Sequence, residues 1–101
     1  MSGLKHDQGK LRWDLLPLDS IEEVVKVYTF GAGKYDDENW REGISWKRII
    51  GAIFRHLAAF CRGQDVDDES GLDHRAHAVW GLLTLMNYTR THPDMDDRVK
   101  I

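Results

Sequence analysis

A chain of 101 residues carries 14 lysines and arginines against 17 aspartates and glutamates, a net charge of −3, and a single cysteine, Cys61. With its basic residues scattered among the acids it has no cationic stripe to neutralise a polymer's phosphates, which excludes ordinary nucleic-acid binding. No apolar signal core or membrane-length run occurs, which excludes a membrane partner, and one thiol suits a reducing, cytoplasmic setting.

Residues 1–101 are expected to form one domain: an arm over 1–17, a helical core over 18–92 and a tail over 93–101. The arm, Lys5-His6-Asp7-Gln8-Gly9-Lys10-Leu11-Arg12-Trp13-Asp14-Leu15-Leu16-Pro17, mixes charge with glycine and ends on proline, so it reads as ordered extended chain whose basic groups fold over a site. Ser20-Ile21-Glu22-Glu23 fits a capping box, and Ile21, Val24, Val25 and Tyr28 recur at helical spacing. These predict a first helix from about Ser20 to about Ala32, closed by Gly31 and Gly33.

The segment from Lys34 to Gly43 is too polar for a core element, although Tyr35 and Trp40 can close over the edge of a bundle or over a planar ligand. Ser45 then caps a second helix whose apolar positions Trp46, Ile49, Ile50, Ile53, Phe54, Leu57 and Phe60 form a broad stripe ending at Gly63. Cys61, at the edge of that stripe, reads as a core residue. Asp73 caps a third helix, with Ala76, Val79, Trp80, Leu83 and Met86 expected to face inward and His74, His77, Gly81 and Thr84 to form a narrower stripe beside them. Pro93 and the acidic tail end it. Three helices without strand patterns imply an all-α bundle. A domain this small gains from a self-associating helical surface, so an oligomer is expected.

Between the second and third helices, Gly63 to His77 gathers Asp65, Asp67, Asp68, Glu69 and Asp73 with His74 and His77. Such a repelling cluster needs either open water or a cation. His74 and His77 are one helical turn apart, so both rings can point to the loop from which Asp67, Asp68, Glu69 and Asp73 reach. Carboxylates favour Mg²⁺ or Mn²⁺, and imidazole widens the choice towards Mn²⁺ or a later transition metal. A calcium loop fails because Ser70 stands at the sixth position and Ala76 at the twelfth. A zinc site of the cysteine type fails for want of a second thiol. The bland alternative is a solvated acidic loop with His74 and His77 capping or packing.

Lys47 and Arg55 lie two turns apart on the second helix, with Arg48 and His56 as the adjacent pair, and a phosphate chain can lie against them. Lys5, Lys10, Arg12 and Lys34 can neutralise outer phosphates, and Asn39 and Trp40 can read and stack on a base. Each of these is also an ordinary surface or loop residue when taken alone. A glycine-rich phosphate loop, a nucleophile elbow and a zinc-protease helix are absent from the sequence, which leaves metal-activated water as the chemistry.

Asp7-Gln8-Gly9-Lys10 with Leu15-Leu16-Pro17, Lys34-Tyr35 with Asn39-Trp40, Arg55-His56-Leu57, and the run from Gly63 through Asp67, Glu69, Gly71, His74 and His77 together resemble the phage and bacterial dATP/dGTP pyrophosphohydrolase-like proteins, relatives of the all-α MazG enzymes. The resemblance spans about Lys5 to about Asn87. It implies a compact MazG-like bundle, a homodimer or homotetramer, that uses Mg²⁺ or Mn²⁺ to hydrolyse a purine (deoxy)nucleoside triphosphate, dGTP or dATP, to monophosphate and pyrophosphate in a bacterial or phage-infected cytoplasm. In that reading Asp67, Asp68, Glu69, Asp73, His74 and His77 supply the metal site, and Asp67, Glu69 and Asp73 are catalytic, with Glu69 as general base. Lys10, Lys34, Lys47, Arg55, His56, Asn39 and Trp40 bind substrate. Familiar members carry paired ExxE and ExxD motifs; here Gln64 stands where glutamate is expected. The competing readings are a nucleotide-binding regulatory protein, and an HD-type phosphohydrolase drawing on His56, Asp67, Asp68 and His77.

Overall fold

Three α-helices make the core of the computed structural model, which describes residues 3–99: α1 over Leu18–Lys34, α2 over Trp46–Cys61 and α3 over His74–Thr91. Single 3-10 turns at Trp13–Leu15, Asn39–Glu42 and Pro93–Met95 lie in the connections. The all-helical expectation holds, and an isolated antiparallel bridge between Val66 and Asp73 is the one extended pairing among the described residues. None of the helices is long and apolar enough to cross a membrane.

α1 begins earlier than the capping box suggests. Pro17 stands at its N-cap and accepts the Ser20 and Ile21 N–H groups, so the Ser20 hydroxyl is not the cap. Proline suits a helix entrance because its fixed φ fits and no N–H is left over. Gly31 and Gly33 are helical, and the helix runs on to Lys34. Val24 and Val27, not Ile21 and Val25, carry its buried face, packing on Ala76 of α3 with Tyr28, Leu72 and Trp80 around them.

α2 starts as expected. Ser45 accepts from the Arg48 N–H at 3.5 Å, and Asp97 of the tail takes the Lys47 N–H at 2.9 Å and the Ser45 hydroxyl proton. Trp46, Ile49 and Ile53 are buried against α3, whereas Phe54 is two-thirds exposed and Cys61 is exposed, which corrects its placement in the core. Helices α2 and α3 run antiparallel: Tyr88 packs in the Trp46 and Ile49 cluster near one end, and His56 meets His74 at the other.

α3 meets the expectation only in part: Ala76 is buried and Trp80 packs beside it, as expected. Asp73 does cap it, accepting the Arg75 N–H at 2.7 Å. The buried residues, however, are His74, Ala76, Ala78, Gly81, Thr84 and Tyr88, while Val79, Leu83 and Met86 are exposed. Small residues win the interface because they let the backbones approach. A Cβ on Gly81 would lie 2.5 Å from Ile53 Cγ1, inside any tolerable contact.

The arm is exposed along its described length and its Arg12 is paired with Asp14, so it does not lie folded over the helices.

Candidate metal centre and its aromatic cleft

His56 follows Ile53 by one turn, so the packing that buries Ile53 against α3 also brings His56 to the start of that helix. There its Nδ1 lies 2.8 Å from Nδ1 of His74, which is only 4% exposed. The His77 ring, a turn further along α3, stacks on His56 with centroids 4.4 Å apart and planes 8° from parallel. Asp67 reaches in from the loop, and the ligating atoms of His56, Asp67 and His74 all lie within 4.8 Å of one another.

The loop holds Asp67 by backbone bonds at close spacing. Asp67 N–H donates to Leu72 O at 2.8 Å, Gly71 N–H to Asp67 O at 2.7 Å, and His74 N–H to Asp65 O at 3.0 Å. This turn requires φ of +71° at Gly71, a conformation that side chains resist. Ser70 N–H and hydroxyl both donate to Asp67 Oδ2, at 2.9 and 3.0 Å. With its proton so used, the Ser70 oxygen accepts from Leu72 N–H at 3.1 Å, and its 2.7 Å contact to His77 Nε2 is one in which the imidazole donates.

Gln64 resolves the other tautomer. Its amide nitrogen donates to Asp68 Oδ1 at 3.0 Å, which turns its carbonyl oxygen to His74 Nε2 at 3.1 Å. A carbonyl only accepts, so His74 Nε2 carries the proton and a neutral His74 offers its Nδ1 lone pair to the centre. That lone pair faces Nδ1 of His56 and accepts its proton. Gln64 is thus a positioning group where the sequence suggested a lost carboxylate.

Burial lowers the His56 pKa below the ordinary imidazole range, helped by His77 and His74, and burial lowers that of His77 as well. Desolvation pushes the Asp67 carboxyl upward, but the Ser70 hydrogen bonds with His77 and His56 outweigh it and hold the pKa below the usual range. At neutral pH the Asp67 carboxylate is therefore charged and the His56 and His77 rings beside it are neutral.

The other acids expected here have different partners. Asp68 bonds Gln64, Asp73 caps α3 and is ion-paired with Arg75, and Glu69 is ion-paired with Lys34 at the end of α1. Among the basic candidates, Lys34 therefore stands next to the loop, whereas Lys10 lies in the exposed arm. Lys47 and Arg55 are on the exposed side of α2, where the Arg55 guanidinium turns back towards Gly51. His56, assigned to phosphate by its spacing from Arg48, sits instead in the group that could hold a metal ion. Its signal in the sequence was a place three residues after Ile53 and four before Phe60, on the buried stripe.

Beside the cluster lies a cleft of about 150 Å³ that His77 lines together with Tyr28, Tyr35, Asn39, Trp40 and Trp80. Trp40 meets Tyr28 edge to face at 5.4 Å, and Tyr28 bonds Thr84 at 3.0 Å. The buried Tyr88 hydroxyl donates to the Trp40 carbonyl, anchoring the cleft wall to the core. Asn39 and Trp40 thus line the same cleft as His77.

Residues 1–98 match the family model described as dATP/dGTP diphosphohydrolase, N-terminal. A protein of Salmonella phage PMBT28 named dATP/dGTP diphosphohydrolase is 39% identical over 98 residues, which cover 97% of this chain and 33% of that protein. The chain thus spans about a third of the length of the curated relative it matches. No solved structure matches it.

Proposed function

Because the chain belongs to the dATP/dGTP diphosphohydrolase N-terminal family, we propose that it carries the metal-dependent centre of a MazG-like nucleoside triphosphate pyrophosphohydrolase, which converts a purine deoxynucleotide, dGTP or dATP, to monophosphate and pyrophosphate. The observation that carries this reading is the convergence of His56, Asp67 and His74 from three parts of the chain beside a cleft walled by aromatic rings. Clefts of that composition hold a flat ring, and Asn39 supplies the polar edge that orients it.

The purine ring lies in the cleft lined by Tyr35, Asn39, Trp40 and Trp80, and Lys34, ion-paired with Glu69 of the loop, receives the outer phosphates. His56, Asp67 and His74 would hold the ion, which supplies positive charge to the phosphates and lowers the pKa of an attacking water. Of the two ions that the sequence suggests, Mn²⁺ suits this donor set better than Mg²⁺. His77, kept neutral by burial and with its Nε2 proton given to Ser70, presents an Nδ1 lone pair as the proton acceptor. Glu69 serves to hold Lys34.

The reading includes self-association as a homodimer or homotetramer, supported by the exposed Phe54, Leu82 and Met86, large side chains that a lone monomer leaves in water.

The test is product analysis. Purified protein is incubated with separate nucleoside triphosphates, with and without added divalent ions. Metal-dependent monophosphate and pyrophosphate is the expected result. Orthophosphate or tripolyphosphate would replace this reading with an HD-type one, and nucleotide binding without products would replace it with a regulatory role.

A further inference from the structure

From the donor atoms we infer that this centre is a two-histidine, one-carboxylate site for a borderline transition ion of the Zn²⁺, Fe²⁺, Co²⁺ and Mn²⁺ class, and that it does not hold Mg²⁺. The inference rests on reading the cluster as a metal centre and is independent of which nucleotide, if any, is hydrolysed.

Magnesium demands an octahedron of oxygens and sheds its water reluctantly, so proteins hold it with carboxylates, water and substrate phosphates. Imidazole nitrogen suits the later ions, and two histidines with one carboxylate and open positions are a recurrent site for them. Among the described residues the candidate ligating group has a single carboxylate, Asp67. The acids that would make it oxygen-rich have other partners: Asp68 has Gln64, Asp73 has Arg75 and the start of α3, and Glu69 has Lys34.

The surrounding bonds are those that a nitrogen site needs. The Gln64 carbonyl holds the proton on His74 Nε2 and leaves Nδ1 as the donor, in a residue 4% exposed. Ser70 fixes Asp67 through one oxygen by two hydrogen bonds. Partners of this kind orient metal ligands, and their loss typically weakens affinity about 10–100-fold. An amide at position 64 also leaves the site without the second carboxylate that Mg²⁺ would require.

The experiment uses the full chain stripped with chelator and titrated with Co²⁺, read by its visible absorption and by calorimetry. A saturable cobalt spectrum is expected, undiminished by Mg²⁺ in about thousandfold excess and lost to Zn²⁺, as the order of divalent affinities requires. His56→Gln and Asp67→Asn should each weaken binding by at least about tenfold, with helix content checked by circular dichroism. Displacement of Co²⁺ by Mg²⁺ at comparable concentration would overturn the inference, and because that competition uses the wild-type chain it stands even if a variant unfolds. Tight cobalt binding in a protein that turns over no nucleotide would uphold this inference while removing the proposed function. Turnover with Mg²⁺ in a chain that binds no cobalt would do the reverse.

Discussion

At the scale of single residues, the chemistry turns on where each proton sits. If His77 accepts the proton from water, His77→Gln should lower kcat by about 10²–10⁴-fold, while Glu69→Gln should leave kcat within about tenfold and raise KM by freeing Lys34 from its partner. Equal losses in both variants would sink the assignment. The Gln64 amide makes a second test: Gln64→Leu removes the acceptor that fixes His74 and should weaken metal affinity about 10–100-fold without unfolding α3, as measured by metal titration.

The depressed pKa values of His56 and His77 set the pH response of the metal-free protein. In the unfolded chain both rings titrate near the ordinary value of about 6.5, above their folded values. As pH falls, the unfolded state binds protons first, so stability is full above that range and declines through it until the folded rings also charge. Urea unfolding at a series of pH values should show this decline, and stability that rises with acidification would contradict it. These roles were only partly legible. Asp67, His74 and His77 are visible as ligand types near one another in sequence, but His56 comes from another helix, and nothing in a sequence says which way an amide such as Gln64 points.

At the scale of elements, the caps of α2 and α3 were readable, whereas the start of α1 and part of one helix face were not. Ser45 and Asp73 mark the starts of α2 and α3 because a short polar side chain can satisfy open N–H groups wherever a helix begins. The apolar residues of α3 suggested an inward face at Ala76, Val79, Trp80, Leu83 and Met86; Ala76 and Trp80 do pack towards α1, but Val79, Leu83 and Met86 are exposed and the helix turns Ala78 and Gly81 to α2. Hydropathy records affinity for a core but not the distance between backbones, and at Gly81 distance decides. Gly81→Ala should destabilise the fold by about 1–3 kcal/mol despite its better helix propensity, since the new Cβ meets Ile53 Cγ1 and Ile49 Cγ2. Combining it with Ile53→Ala should cost less than the sum of the two changes in a double-mutant cycle. Strict additivity would mean that the contact is not limiting.

For the whole molecule, large apolar side chains of both α2 and α3 stay outside. Phe54 and Met86, which residue periodicity assigned to the interior of one chain, are each 67% exposed and Leu82 is 52% exposed, a pattern that suits the joint between two. Phe54→Lys with Met86→Lys should reduce the mass seen by light scattering to that of a single chain while keeping the helices, and a wild-type protein already at that mass would remove the oligomer. The Tyr88 hydroxyl bond to the Trp40 carbonyl bears on affinity in another way. A fully buried side chain grips the backbone of the cleft wall from beneath, and Tyr28 braces the Trp40 ring from the side. The slot is therefore shaped before a guest arrives, and a ring entering it surrenders its own freedom of motion without also having to freeze the wall.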